Sequence, residues 1–193
     1  MPEFRNLSLD GLIEIIPDKF GDQRGFFSET YNDQAFKDAG IDLTFVQDNH
    51  SFSADKGVLR GMHFQLPPFA QDKLVRVTRG SVYDVLVDIR KGSPTFAKWV
   101  GVEISAKKWN QILVPKGFAH GFVTLEPNTE FLYKVTNYYS KECDRSIRFD
   151  DPQIGIDWPI DPSDVTLSDK DRTAPTLADT DTRFIYEGCT CVF

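Results

Sequence analysis

Apolar and aromatic residues occur in many short runs along the chain, and Gly, Pro, Asn or Asp interrupts them every 8 to 12 residues. This spacing is typical of antiparallel sandwiches and barrels, whose short strands are joined by turns. The sixteen Phe and six Tyr residues also favour strands, because aromatic side chains pack well on a pleated sheet. The predicted strands are residues 12–16, 25–31, 45–53, 58–64, 73–79, 81–89, 98–104, 110–114, 119–125, 131–138 and 146–149. We therefore expect an all-β fold, a jelly-roll barrel with a few short peripheral helices.

Helical patterns are scarce in this sequence. The best candidate covers residues 33–39, with Asn32 as its N-cap and Gly40 as its stop. A second short helix is expected to begin after Ser168, where the sequence SDKD supplies a cap and first-turn acids. The joint at Gly80, between two predicted strands, reads as a tight hairpin.

A chain of 193 residues without an internal linker predicts one domain. Within it we expect an N-terminal arm strand in residues 1–16, the barrel in 17–150, and a C-terminal segment in 151–193 with a short helix and an acidic tail. No run approaches ~20 apolar residues and no secretion signal is recognisable, so a cytoplasmic protein without membrane association is the expectation. The pair Cys189 and Cys191 near the C-terminus is interpreted as incidental.

The net charge of −7 is distributed unevenly. Residues 150–193 hold ten acidic and three basic side chains, whereas residues 1–149 are neutral overall. Residues 55–79 carry five basic side chains against two acidic ones, which suits a small anionic ligand. The acidic tail argues against nucleic acid as a partner, since nucleic-acid surfaces attract basic stripes.

Two of the three histidines lie in unusual surroundings. His63 stands in LRGMHFQ (59–65) and His120 in GFAHGF (117–122). Strand alternation places His63 on the same face as Leu59 and on the opposite face from Arg60. For Arg60 this leaves two alternatives: a bulge at Gly61, or a role in a neighbouring site.

These two stretches resemble the paired histidine motifs of the cupin superfamily, a jelly-roll family that binds metal with a His-x-His, a Glu and a later His. The chain departs from that pattern at Gln65, where the second histidine is expected. A neutral amide is a poor transition-metal ligand, and His63 with His120 falls short of three protein ligands. We therefore expect no metal.

Within the cupins, residues 20–171 resemble the dTDP-4-dehydrorhamnose 3,5-epimerase family. The resemblance rests on several separate motifs in the right order, which is a far more specific signal than one short pattern. They are GDQRGFF (21–27), FVQDNH (45–50), the His63 strand, KLVRV (73–77), VDIR (87–90), GFAHGF (117–122) and LSDKD (167–171).

The resemblance implies a cofactor-free isomerase that inverts C3 and C5 of dTDP-4-dehydro-6-deoxy-D-glucose next to its C4 ketone. It implies that His63 is the base with Asp171 as its carboxylate partner, and that Tyr133 returns a proton from the opposite side. Such chemistry also needs a group that stabilises the enolate. Lys73 is our candidate, because alternation places it on an apolar face with Val75.

The resemblance also implies a set of nucleotide-binding residues. Tyr139 would stack on the thymine, and the guanidinium groups suit pyrophosphate. Asp144 stands where relatives often carry a Glu, so it keeps the charge with a shorter reach. The implied set is Arg24, Glu29, Gln47, Asn49, Arg60, His120, Tyr139, Asp144 and Lys170.

Three alternatives remain open at this stage: an epimerase acting at C3 or C5 only, a metal-dependent cupin using His63 and His120, and a sugar-binding cupin without activity. A homodimer is expected, because the family resemblance implies exchange of N-terminal strands. The arm supports this expectation, since its apolar residues at 12, 13, 15 and 16 face both sides and need covering.

Overall fold

A computed structural model describes residues 2–188 of the chain. It contains two α-helices, α1 (Asp33–Asp38) and α2 (Asp169–Arg172), and a 3₁₀ turn at Pro162–Asp164. All strand pairs in its sheets are antiparallel. The strands are β1 (Glu3–Asn6), β2 (Ile13–Ile16), β3 (Phe20–Asp22), β4 (Gly25–Phe27), β5 (Gln47–Ser53), β6 (Leu59–Gln65), β7 (Lys73–Arg79), β8 (Ser81–Asp88), β9 (Trp99–Ser105), β10 (Gln111–Val114), β11 (Phe118–Thr124), β12 (Thr129–Val135) and β13 (Asp144–Ser146).

Two sheets face each other across an apolar core. One has the order β1-β2-β10-β7-β12-β5 and the other β13-β6-β11-β8-β9, while β3 and β4 pair only with each other. The core takes Val75 and Phe131 from the first sheet and Leu86 and Phe122 from the second. The expected all-β class is confirmed.

Each sheet also buries its outer face. On the five-stranded sheet, Val85 and Val87 alternate with the inward Leu86 and pack in a cluster with Ile154 and Trp158 of the C-terminal segment. On the six-stranded sheet, the outer cluster includes residues of β2, β7 and β10 and Phe36 of α1. The C-terminal segment thus crosses the outside of one sheet before α2 reaches β6.

Both predicted helices are confirmed, with their caps. The side chain of Asn32 accepts a hydrogen bond from the backbone N–H of Ala35 (3.1 Å), and the chain leaves α1 through Gly40, whose φ is +76°. Ser168 caps α2 by accepting from the N–H of Asp171 (3.2 Å). Neither helix could cross a bilayer, and no other helix in residues 2–188 could do so.

Several strand predictions needed correction. The predicted strand 73–79 matches β7, but β1 and β3 were not predicted. The predicted strand 25–31 ends at Phe27 in the structure. The predicted strand 146–149 overlaps β13 only at Ser146. The predicted hairpin at Gly80 is wrong, because β7 and β8 belong to different sheets. Gly80 instead carries the chain from one sheet to the other with φ +75°, and a Cβ there would lie 2.4 Å from Oγ1 of Thr129.

The N-terminal arm forms two strands of the chain's own sheet. Leu12 enters the core between the sheets, whereas Ile13 and Ile15 join the outer cluster beside α1. Leu12, Ile13 and Ile15 are therefore buried within one chain and Ile16 is half-buried, so the need for a partner's cover that we inferred from them was wrong. Cys189 and Cys191 lie outside the described residues.

Candidate active site

A cavity of about 470 Å³ opens between the two sheets. Both sheets contribute to its walls: β6 and β11 from the five-stranded sheet, and β5, β7 and β12 from the six-stranded sheet. The segment that leads into α2 closes one side. The lining residues are Ser51, Val58, Leu59, Arg60, His63, Lys73, His120, Phe122, Phe131, Tyr133, Thr166, Leu167, Ser168 and Asp171.

A bulge in β6 decides which of its residues face this cavity. His63 lies opposite His120, but Arg60 lies opposite Phe122, so β6 contains one residue more than β11 in this interval. Arg60 and His63 both line the cavity, which confirms the bulge alternative. Leu59 borders the cavity as well, although its side chain packs with Met62 in the outer cluster, so it does not share the inward face with His63 that alternation predicted.

His63 and Asp171 form a hydrogen-bonded pair. Nε2 of His63 lies 2.5 Å from Oδ1 of Asp171, and the hydroxyl of Ser168 donates to Oδ2 (2.9 Å). Burial alone would raise the pKa of Asp171, but the hydrogen bonds from His63 and Ser168 and the nearby positive charges together lower it. The carboxylate is therefore charged at neutral pH and orients the imidazole.

Lys73 projects into the cavity from the first position of β7. Within residues 2–188 its ammonium has neither a hydrogen bond nor an ion pair. Burial lowers the pKa of Lys73 to about 8, although Asp144 and Asp84 act in the opposite direction. An unpaired cation in an apolar wall interacts strongly with any negative charge that develops nearby.

His120 is held by a second carboxylate. Its Nε2 lies 2.7 Å from Oδ1 of Asp84, which is fully buried on β8. Burial raises the pKa of Asp84. Its Oδ2 has no hydrogen-bond partner among the described residues. Sequence reasoning missed Asp84, although one acid inside the apolar run VYDVLV (82–87) was a usable signal.

Tyr133 stands on β12, on the wall that belongs to the other sheet from His63. Its ring packs beside Phe131, with the ring centroids 6.1 Å apart. Burial raises the pKa of Tyr133, partly offset by the charge of Arg60. The phenol therefore keeps its proton through neutral pH and is available as an acid.

Three predicted nucleotide-binding residues form a group at Asp144. The Tyr139 hydroxyl donates to Oδ2 of Asp144 (3.3 Å), and the ammonium of Lys170 donates to the same oxygen. These three residues do not line the cavity. On β5, Gln47 donates to Asn49 (2.8 Å), and both lie on the same face of the strand as Ser51, which does line the cavity.

Arg24 and Glu29 lie apart from this cavity. Arg24 sits in the turn of the β3–β4 hairpin, where its side chain is 85% exposed and pairs with Asp22. Glu29 follows the hairpin and accepts a hydrogen bond from Asn32 (3.0 Å). Neither residue lines the cavity of its own chain.

Gln65, which stands where the cupin pattern has its second histidine, does not line the cavity. Gln65 is buried, and its amide binds backbone groups of two loops. In the part of the chain that the structure describes, no group of three or more His, Cys, Asp or Glu side chains could hold a metal ion.

Both the sequence and the fold of this chain are similar to those of known proteins. The family model for dTDP-4-dehydrorhamnose 3,5-epimerase matches residues 6–179. The dTDP-4-dehydrorhamnose 3,5-epimerase of Salmonella typhimurium is 57% identical over 171 residues, covering 88% of this chain and 92% of that protein.

Two solved structures bear on the site. A dTDP-6-deoxy-D-glucose-3,5-epimerase from Legionella pneumophila, in complex with dTDP-4-keto-L-rhamnose, is 46% identical with a TM-score of 0.92 and covers 97% of this chain and 100% of that chain. A 3'-monoepimerase from Streptomyces bikiniensis bound to dTDP-quinovose is 34% identical with a TM-score of 0.84, covering 90% and 87%. With a family model matched over most of its length and relatives above half identity, the chain belongs to the dTDP-4-dehydrorhamnose 3,5-epimerase family.

Proposed function

We propose that this protein converts dTDP-4-dehydro-6-deoxy-D-glucose to dTDP-4-dehydro-L-rhamnose by inverting C3 and C5. One observation carries the proposal: a basic dyad, His63 with Asp171, and a phenolic acid, Tyr133, stand on facing sheets of one cavity. Inversion at a carbon requires a proton to leave from one face and another to arrive at the opposite face. Groups on facing walls meet that requirement.

The chemistry follows from the C4 ketone, which makes the protons at C3 and C5 acidic. His63 takes the proton as its C–H bond breaks, and the electron pair moves to the ketone oxygen to give an enolate. A neutral imidazole is too weak a base for this step unless the enolate is stabilised, and the Lys73 ammonium supplies that charge. Tyr133 then protonates the carbon from the other face.

The nucleotide would lie along the same opening. Arg60 lines the cavity and offers a guanidinium to the pyrophosphate. His120, Gln47 and Asn49 supply further polar groups, whereas Lys170 and Asp144 would act at the rim. Tyr139, which is 60% exposed, presents an aromatic face to the thymine.

We propose further that the active enzyme is a homodimer. The β3–β4 hairpin pairs with neither large sheet and exposes Phe20 (62%) and Phe27 (68%). Adjacent exposed aromatic side chains are typical of a protein interface. If Arg24 and Glu29 bind nucleotide, as the resemblance implies, they reach the cavity of a second copy. A monomeric mass at micromolar concentration would contradict this.

The reaction is tested by incubating the dTDP-ketosugar with the protein in heavy water. Deuterium is expected at both C3 and C5, and NMR should identify the L-rhamno product. Exchange at neither carbon would refute an epimerase and leave a sugar-binding protein. Activity that disappears on chelation and returns with a metal would favour the metal-dependent alternative.

A single-centre epimerase is the second candidate, because the Streptomyces 3'-monoepimerase shares this fold. The two activities differ in how long the enolate persists and which face is reprotonated. Product stereochemistry by NMR separates them: inversion at only one carbon would replace the proposal. The cytoplasmic location stays a prediction from the sequence.

A further inference from the structure

Gln65 clamps the loop that carries Tyr139. Its side chain is 5% exposed, and its amide uses both hydrogen atoms and its oxygen. Nε2 donates to the carbonyl oxygens of Phe69 (2.7 Å) and Tyr138 (3.1 Å), and Oε1 accepts from the backbone N–H of Ser140 (2.7 Å). The two backbone groups that flank Tyr139 are therefore both bound by one side chain.

The surrounding contacts make this clamp part of a larger frame. Gln65 lies opposite Asp144 in the β6–β13 ladder, and Asp144 accepts from the Tyr139 hydroxyl. Gln65 thus holds the backbone on both sides of Tyr139, and Asp144, which lies opposite Gln65, holds the hydroxyl at the far end of its ring. The ring itself stays largely exposed. An exposed aromatic side chain fixed at both ends is prepared to stack without first ordering its loop.

We propose that Gln65 is a positioning residue for nucleobase binding, which acts by holding Tyr139 in its stacking position before the ligand arrives. The inference rests on the proposed function only in that Tyr139 contacts the base. It assigns a role to the position where the metal-binding relatives of this fold are expected to carry a histidine. An amide suits this role because it supplies two donors for the two loop carbonyls and an acceptor for the Ser140 N–H, whereas a neutral imidazole offers one donor and one acceptor.

The physical consequence is a contribution to affinity rather than to chemistry. Stacking of a base on an aromatic ring stabilises binding by an amount that corresponds to roughly a tenfold change in Kd or more. If the loop must first become ordered, the entropy lost in ordering it cancels part of this binding free energy. The Gln65 clamp touches none of the groups around the sugar, so the rate at saturating substrate is expected to stay nearly constant.

The test uses Gln65→Met, which keeps the length of the side chain and removes the three hydrogen bonds. We expect the Kd for dTDP, measured by calorimetry, and the KM for the dTDP-ketosugar to rise by about tenfold, with kcat changed less than about threefold. Gln71→Met is the matched control. Gln71 donates a single hydrogen bond to the carbonyl of Asn137 (2.7 Å), just before the clamped segment, and its loss should leave the Kd unchanged.

A double-mutant cycle separates positioning from general stability. Because Gln65 acts through Tyr139, adding Gln65→Met to Tyr139→Ala should weaken dTDP binding no further. Fully additive losses, or a Gln65→Met variant that binds dTDP as the wild type does, would overturn the proposal. These dTDP measurements need no turnover, so they give an answer even if the heavy-water experiment refutes the epimerase.

Gln65→Glu supplies an independent readout. The new carboxylate would direct an oxygen at the carbonyl oxygens of Phe69 and Tyr138, which repel it. The dTDP affinity of Gln65→Glu should therefore be lower than that of Gln65→Met at neutral pH. It should recover as falling pH protonates the carboxyl group. Absence of that recovery would count against the clamp. If these variants fail to fold, hydrogen exchange on the wild type decides: the Ser140 amide must be protected without ligand, and rapid exchange would refute a loop positioned in advance.

Discussion

His63 Nε2 and Asp171 Oδ1 lie 2.5 Å apart, although 108 residues separate them in the chain. The C-terminal segment makes this contact by packing on the outer face of the five-stranded sheet and then returning to β6 at α2. Ser168 both caps α2 and donates to Asp171, so the same turn that begins the helix fixes the carboxylate. The acidic C-terminal region therefore supplies half of the proposed base.

Asp171→Asn should lower kcat on the order of 10³-fold, because an amide in place of the carboxylate leaves the wrong His63 tautomer and no charge to balance the imidazolium. Steady-state kinetics on the dTDP-ketosugar measures this. Asp169→Asn is the control, since Asp169 is an exposed acid in the same turn. Equal losses in both variants would show that the charge of α2, and not the contact with His63, matters.

Lys73→Met should abolish measurable epimerisation and yet stabilise the protein. Burial lowers the pKa of Lys73 to about 8, so the ammonium that the enolate needs is present below that pH and lost above it. The wild-type kcat/KM is therefore expected to fall as pH rises through about 8. A pH–rate profile checks this; a plateau extending above pH 10 would contradict the assignment of Lys73.

The stability effect of the same variant has the opposite sign. Between pH 8 and 10.5 the unfolded chain binds more protons at Lys73 than the folded protein does, so the wild type gains stability as pH rises through that window. Lys73→Met lacks this rise and should be more stable at pH 7, by roughly 1–3 kcal/mol. Denaturant unfolding at pH 7 and pH 10 provides the comparison.

Tyr133→Phe should separate proton exchange from inversion. His63 remains able to remove a proton and return it to the same face, so deuterium should still enter the substrate in heavy water. Product with inverted centres should fall by about 10²-fold or more, because the acid on the opposite wall is gone. Tyr138→Phe, at an exposed tyrosine outside the cavity, is the control. Unchanged product formation in Tyr133→Phe would exclude the phenol as the acid.

The sequence predicted the helices and strands of this site better than the register and pairing of the strands. The caps of both helices are local features, and β7 alternates regularly, so Asn32, Ser168 and Lys73 could be placed from their neighbours alone. Leu59 and Arg60 could not, because the register shift in β6 exists only relative to β11. The same limit explains the wrong hairpin prediction at Gly80. Two consecutive strands joined by a glycine can pair with each other or can enter different sheets. Which of the two occurs depends on the other strands that they pack against.

Burial was the second kind of information that the sequence lacked. Asp84 was overlooked because its importance comes from a histidine on the neighbouring strand, and Gln65 was considered only as an absent metal ligand. The separation of Arg24 and Glu29 from the cavity was equally invisible, since motif order along the chain does not reveal how far a hairpin lies from the site. Long-range contacts, rather than local propensity, determine all three placements.

Gly61→Ala should be severely destabilising, because the bulge brings β6 and β11 into backbone contact. A Cβ at Gly61 would lie 2.4 Å from Cα of Gly121 and 2.9 Å from the His120 carbonyl oxygen, at a φ of +132°. Neither backbone can move without displacing His63 or His120, so the loss should exceed about 3 kcal/mol. Gly92→Ala is the matched control: its φ is +85° with nothing within 4 Å of a Cβ, so it should lose only about 1–2 kcal/mol. Thermal and urea unfolding measure both variants, and similar losses would mean that conformation, not the contact between strands, fixes the glycine.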